Sequence, residues 1–312
     1  MIRHLHPTDS PGLLKFSKSA GQVEVRTLLG SLLDGRVEFP TLKYASIALS
    51  PRAWQSCWIE TRRGRIDGVL KAGPRSGTPS WEVSELYLRK SKEELAVDLL
   101  EQISIHGGWA GAQRIFLRTT QDSRIYENAR RVGFSRIYHE TVYRSESAHI
   151  TMEKLGVQNH SLDLRPRYES DKLGLVQMYN SITPIEARMK SGQMSPDWTA
   201  GFERLGRKSS DWVYEMDNGS IGALIQSKST RSSQIFTINY AREAHVEFPG
   251  LLSAALAGSK DVPVSTTVPE FTPALSHFLV MLGFKKIERY EVMVKPLART
   301  VGDTRRVFAA IV

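Results

Sequence analysis

The chain has 312 residues, an apolar fraction of 41%, a charged fraction of 24% and a net charge of +9. That length suits two units of about 150 residues, and so ordinary a composition excludes wholesale disorder. The single cysteine, Cys57, excludes an intramolecular disulfide and a cysteine-rich zinc site, and no apolar run approaches the ~18 residues of a membrane span.

In chain order the first half opens with a short strand, Ile2 to His6. Asp9 or Ser10 then caps a helix carrying Leu13, Leu14 and Phe16. A second helical stretch is expected where Val25, Leu28, Leu29, Leu32 and Leu33 share one face, ended by Gly35 and Pro40. Strands are expected at Ser56–Thr61, Ile66–Ala72 and Trp81–Leu88, with Arg62-Arg63-Gly64-Arg65 as a solvated hairpin turn. A helix from Lys92 to His106, a strand Arg114–Thr119, a helix Arg124–Val132 and a strand Ser135–Tyr143 complete the unit. His106-Gly107-Gly108 reads as the C-cap of the first of these helices. Ser91-Lys92-Glu93-Glu94 reads as a capping box at its start.

The second half repeats the order. It has a strand at Leu162–Arg165, helices at Ser170–Ser181 and from Pro184 to Lys190, and strands at Asp211–Met216, Ile221–Ser227 and Gln234–Tyr240. A helix around Leu251, Leu252, Ala255 and Leu256 follows, then strand Val262–Val268, helix Pro273–Leu282 and strand Phe284–Val294. Short matches support a duplication. Ile125…Val132-Gly133-Phe134 pairs with Leu275…Leu282-Gly283-Phe284, Trp58…Gly68-Val69-Leu70 with Trp212…Gly222-Ala223-Leu224, and Arg3…Asp9…Leu13 with Arg165…Asp171…Leu175. The expected division is a first domain over 1–148, a linker over 149–161, a second domain over 162–297 and a tail over 298–312.

This order, met twice, resembles the GNAT superfamily of acyl-CoA-dependent N-acyltransferases. The residues that carry the likeness are Glu85-Leu86-Tyr87-Leu88, Ile115-Phe116-Leu117-Arg118, Tyr126…Val132-Gly133-Phe134 and Gly283-Phe284…Val292-Met293-Val294-Lys295. The resemblance implies two tandem mixed α/β domains. Each would have a mostly antiparallel sheet, flanked by helices and splayed between its fourth and fifth strands. It also implies that acetyl-CoA, or another acyl-CoA, binds as co-substrate in the splay and gives its acyl group to a small-molecule or peptide amine. No metal is implied. In the first half the backbone of Leu86, Tyr87 and Leu88 and the side chain of Thr119 would line the slot. Arg89, Lys90 and Lys92 would hold the phosphates, Glu85 would take the amine proton, and Tyr126 would stand in as acid.

Both halves depart from the family pattern. The loop Arg89–Ala96 lacks glycine, and its glutamates oppose an anion; Pro249 removes an amide from the corresponding loop beside Gly250. The tyrosine position falls on Ala129 and Leu279, and the notional partner of Glu85 is Ile235. The first half is therefore the expected active one, with the second packed on it as a buttress across an apolar interface. A non-catalytic tandem binding or regulatory protein is the alternative. The positive charge is spread over both halves and favours anions in general, but without RNA-binding motifs nucleic acid is not expected as a partner, nor is a membrane. Met1–Pro7 holds no signal-peptide core, so a cytoplasmic protein is expected. His4 and His6 share one strand face with no third ligand apparent, and Trp109, Trp198 and Trp212 are read as core or interdomain packing.

Overall fold

The computed structural model describes residues 1–27, 38–50, 56–75, 79–156, 162–192, 205, 209–230 and 232–297. The first half runs β1 (Ile2–His4), α1 (Ser10–Ser17), β2 (Ala20–Arg26), α2 (Thr41–Ala48), β3 (Cys57–Arg62), β4 (Arg65–Pro74), β5 (Ser80–Arg89), α3 (Leu95–Trp109), β6 (Arg114–Thr120), α4 (Arg124–Arg131) and β7 (Ser135–Ser145). Then follow α5 (Ala148–Leu155), β8 (Leu164–Pro166), α6 (Lys172–Ile182), α7 (Ile185–Ser191), β9 (Ser210–Glu215), β10 (Ile221–Ser229), β11 (Gln234–Tyr240), α8 (Phe248–Leu256), β12 (Val264–Pro269), α9 (Pro273–Met281) and β13 (Lys285–Pro296).

The duplicated motifs fold alike because they solve the same local problem. The Arg3 guanidinium grips the Asp9 carboxylate with bonds of 2.7 and 2.6 Å, and Arg165 grips Asp171 at 2.9 and 2.8 Å. Each aspartate also accepts from the backbone three residues back, His6 or Tyr168, which closes the turn into the helix. Both Gly-Phe steps are helix stops. Gly133 and Gly283 have φ of 95° and 89°, and the amides of Phe134 and Phe284 reach back to the carbonyls of Ala129 and Leu279. That is a left-handed cap, which glycine adopts without the Cβ penalty. Arg63 and Gly64, both at positive φ, make the expected two-residue turn between β3 and β4.

All strands join one sheet in the order β1-β3-β4-β5-β6-β13-β7-β12-β11-β10-β9-β8. The two halves are joined by exchange of their last strands. β7 leaves the first half and pairs with β12, while β13 leaves the second and pairs with β6; the two exchanged strands pair with each other. The halves therefore meet through a continuous backbone ladder, and apolar side chains cross between them as well, Met293 entering the first core and Tyr143 the second. Apolar cores lie along one face: α3 and α4 cover Leu86, Leu88, Leu117 and Met293 in one half, and α8 and α9 cover Phe236, Ile238, Val264 and Tyr143 in the other. On the opposite face α1 and α2 cover Ile59, Val69 and Tyr87.

Four local expectations are corrected. Val25 lies in strand β2, not in a helix; Leu28, Leu29, Leu32, Leu33 and Gly35 fall outside the described residues. Within the stretch read as linker, α5 forms on a Ser147 cap and lays Met152 and Leu155 against the second core. Helix α3 does not stop at His106. It runs to Trp109, with Gly111 at positive φ just beyond, and Gly107 is buried within it. Trp109 is 79% exposed and Trp212 37%, so neither is core; Trp198 lies outside the described residues.

Candidate functional site

Two parallel strand pairs part in the middle of the sheet. β5 pairs with β6 only over Ser80–Glu82 against Arg114–Phe116, and β11 pairs with β12 only over Gln234–Phe236 against Val264–Thr266. Beyond these residues each pair opens into a wedge with strand backbone along one side. The wedges are the expected splays, one in each half.

The first wedge is filled by the chain itself. From Ser84 onward the β6 side of β5 is taken by β2, in register Arg26↔Glu85, Val25↔Leu86, Val23↔Tyr87 and Ala20↔Arg89. Thr27 bolts the wedge: its hydroxyl donates to the Val83 carbonyl at 2.5 Å and accepts from the Arg118 amide at 3.0 Å. Its amide bonds the Ser84 carbonyl, and its carbonyl accepts from the Arg118 guanidinium. On the far side the Thr119 hydroxyl donates to the Glu24 carbonyl at 2.9 Å. The edge at Leu86, Tyr87 and Leu88 therefore already has a strand on each side, β4 and β2. An extended ligand needs that edge unpaired.

The remaining residues expected at this site have internal partners. Glu85 is 4% exposed; its carboxylate accepts from the Tyr44 hydroxyl at 2.8 Å and pairs with Lys43, both from α2. Burial, and then Glu85, hold the Tyr44 phenol well above its ordinary range. Arg89 turns away from the loop to Asp67 at 2.9 Å, to the Ile66 carbonyl and to Ser19. Lys90 is exposed, and Lys92 stands 3.7 Å from Glu94. Ser91 has φ of 61° and does not cap α3. Instead the carbonyls of Lys92, Glu93 and Glu94 accept from the amides of Leu95, Ala96 and Val97, so the first-turn amides of this helix are spent. Tyr126 packs against the α3-side core, on the opposite sheet face from Glu85.

Beside β2 lies a cleft of about 370 Å³, lined by Glu24, Arg26, Glu93, Asp122, Ser123 and Arg124 among others. Burial raises the Glu24 carboxyl, an effect opposed by Ser123 and reinforced by Glu93. This crowd of carboxylates disfavours a phosphate. Sequence reasoning missed β2, Thr27 and the Lys43–Tyr44 pair. The alternation Val23, Val25 against Gln22, Glu24, Arg26 was the available signal for β2.

The second wedge differs. Among the described residues, no strand pairs with β11 beyond Phe236 on its β12 side. A 3₁₀ turn, Arg242–Glu247, leads into α8, with Pro249 in its first turn and Gly250 buried there. In register with β10, Thr237 stands opposite Gln226 on the face away from α8, as Glu85 stands opposite Lys71 on the face away from α3. Thr237, rather than Ile235, is therefore the counterpart of Glu85. Ile235 instead packs with Val142, Leu205 and Tyr290.

No protein-family profile matches the sequence, and no curated protein does. Solved structures do match. A tandem GNAT protein from the clavulanic acid biosynthesis pathway, solved without acetyl-CoA, superposes at a TM-score of 0.55 with 13% identity, covering 96% of this chain and 99% of that one. A GCN5-related N-acetyltransferase from Sphaerobacter thermophilus superposes at 0.50 with 12% identity, over 96% and 97% of the two chains. The chain thus has the GNAT fold in tandem.

Proposed function

We propose that the protein is an acyl-CoA-dependent N-acyltransferase that takes its thioester in the second half, not in the first as the sequence suggested. One observation carries this: β2 and Thr27 occupy the edge of β5, whereas the equivalent edge of β11 has no described strand upon it. The residues fit an extended amide-bearing ligand there. The backbone of Ile238–Tyr240 would pair with it, and the Gly250 amide in the first turn of α8 would face its phosphates, since Pro249 has none and the 3₁₀ turn runs straight into Phe248. The ligand supplies an activated thioester, and an amine is the acceptor. Thr237 and Asn239, on the sheet face away from α8, hold no group that accepts a proton at neutral pH. The amine must then arrive neutral or lose its proton to water, so turnover should climb with pH up to the amine's own pKa.

Amide hydrogen exchange of the full chain, with and without millimolar acetyl-CoA, tests the assignment. Protection should appear over 237–241 and 247–252 and be absent over 83–89. Protection over 83–89 instead, or none anywhere, refutes it. Protection at β11 without transfer to any amine would favour a second reading, a binding protein that has lost the chemistry. Ala129 and Leu279 at the two acid positions speak for that second reading.

A further inference from the structure

The first half carries an aromatic cavity that shares no lining residue with the open part of either wedge. It lies between the last turn of α3 and the outer edge of the sheet. Its volume is about 550 Å³, and it is lined by His4, His6, Trp58, Trp81, His106 and Trp109. His4 on β1 stands directly across from Trp58 on β3. The rings are mutually close: His4–Trp58 4.8 Å, Trp58–Trp81 6.1 Å, His4–His106 5.6 Å and His106–Trp109 5.6 Å between centroids. Trp109 is the rim, 79% exposed although it is an indole. Half of the protein's six tryptophans meet here.

Two polar features define what the cavity would take. Trp58 is 2% exposed, and its Nε1 is buried with no hydrogen-bond partner among the described residues. An indole N–H left so costs free energy unless something accepts from it. The Nδ1 of His106 lies 3.0 Å from the Gln102 carbonyl and 3.1 Å from the Gln102 side-chain nitrogen, which leaves Nε2 as the ring's remaining polar atom, a donor or an acceptor according to tautomer. Although three histidines are present, no three side chains of metal-binding type converge among the described residues. A quaternary ammonium would suit the indole faces, but it offers nothing to the Trp58 N–H.

We propose that this cavity binds a planar heteroaromatic molecule of nucleobase type, stacked among the indoles, with a ring carbonyl or ring nitrogen accepting from Trp58 Nε1 and a second polar ring atom hydrogen-bonded to His106 Nε2. Base-to-aromatic stacking is a sequence-independent source of affinity, and the buried donor gives the orientation. Hypoxanthine, which has both the acceptor and the donor, is the probe. Saturation-transfer NMR on the full chain should show saturable transfer to hypoxanthine. Trp58→Phe keeps a ring and deletes the N–H, and it should weaken binding about five- to tenfold, the worth of one net hydrogen bond. Trp109→Ala, at an exposed rim where folding is not at stake, should weaken it as well and serves where Trp58→Phe does not fold. Tetramethylammonium should show no saturable transfer. Absence of saturable transfer at millimolar hypoxanthine, binding indifferent to both substitutions, or binding of tetramethylammonium in its place would overturn the assignment.

Discussion

Replacing Thr27 by valine isolates what holds β2 in its wedge. Thr27 is 3% exposed, and its hydroxyl serves two buried backbone groups at once, the Val83 carbonyl at 2.5 Å and the Arg118 amide at 3.0 Å. Valine has nearly the same shape, so packing changes little while both groups lose their partner. Each orphaned group costs about 1–3 kcal/mol, so the variant should lose about 2–6 kcal/mol. At roughly 2–4 °C per kcal/mol for a large chain, the melting temperature should fall by roughly 4–24 °C. Urea unfolding reads the loss as a lower midpoint at unchanged slope. Thr27→Ser keeps the hydroxyl and should retain most of the stability. The reasoning is refuted if Thr27→Val stays within about 0.5 kcal/mol of the parent, the range of an ordinary surface change. It is refuted equally if serine costs as much as valine.

The buried pair Arg118–Glu140, 2.5 Å apart, joins β6 to the exchanged strand β7. Glu140→Ala should cost about 3–5 kcal/mol in urea unfolding, and a double methionine variant should recover most of that. Asp171 is held below its ordinary 3.8 by the Arg165 guanidinium. It contributes stability that is present above 3.8 and fades as pH falls through the lower folded value. Asp171→Asn should therefore lower the melting temperature at pH 7 and flatten its decline below about pH 4; an unchanged acid limb would contradict the ion pair.

What the sequence made legible was local. Gly133-Phe134 and Gly283-Phe284 announce a helix stop and the strand after it because only glycine caps there cheaply. Arg3…Asp9 and Arg165…Asp171 repeat because the bidentate grip is set within one turn. β2 stayed hidden because Val25 fits a helical stripe with Leu28, Leu29 and Leu32 as well as it fits a two-residue alternation. The alternation through Ile137–Arg144 specifies a strand but not its neighbour, so the exchange of β7 and β13 left no mark in the residues. The candidate site suffered from both. Glu85, Leu86 and Leu88 were placed correctly on β5, but what closes over them was decided by a strand elsewhere in the chain.

The strand exchange also sets a timetable for synthesis. As the chain leaves the ribosome, Arg114–Thr120 emerges early, yet its ladder partner, Tyr290–Pro296, appears about 170 residues later. Throughout that interval the nascent first half presents β6 and β7 as unpaired edges, each a template for any other extended chain nearby. Local contacts can form as they emerge, but the central seam must wait for β13. Arrest of translation anywhere before β13 should leave a protease-sensitive, chaperone-bound intermediate, and the burden of quality control falls on the product of an incomplete round rather than on the finished molecule.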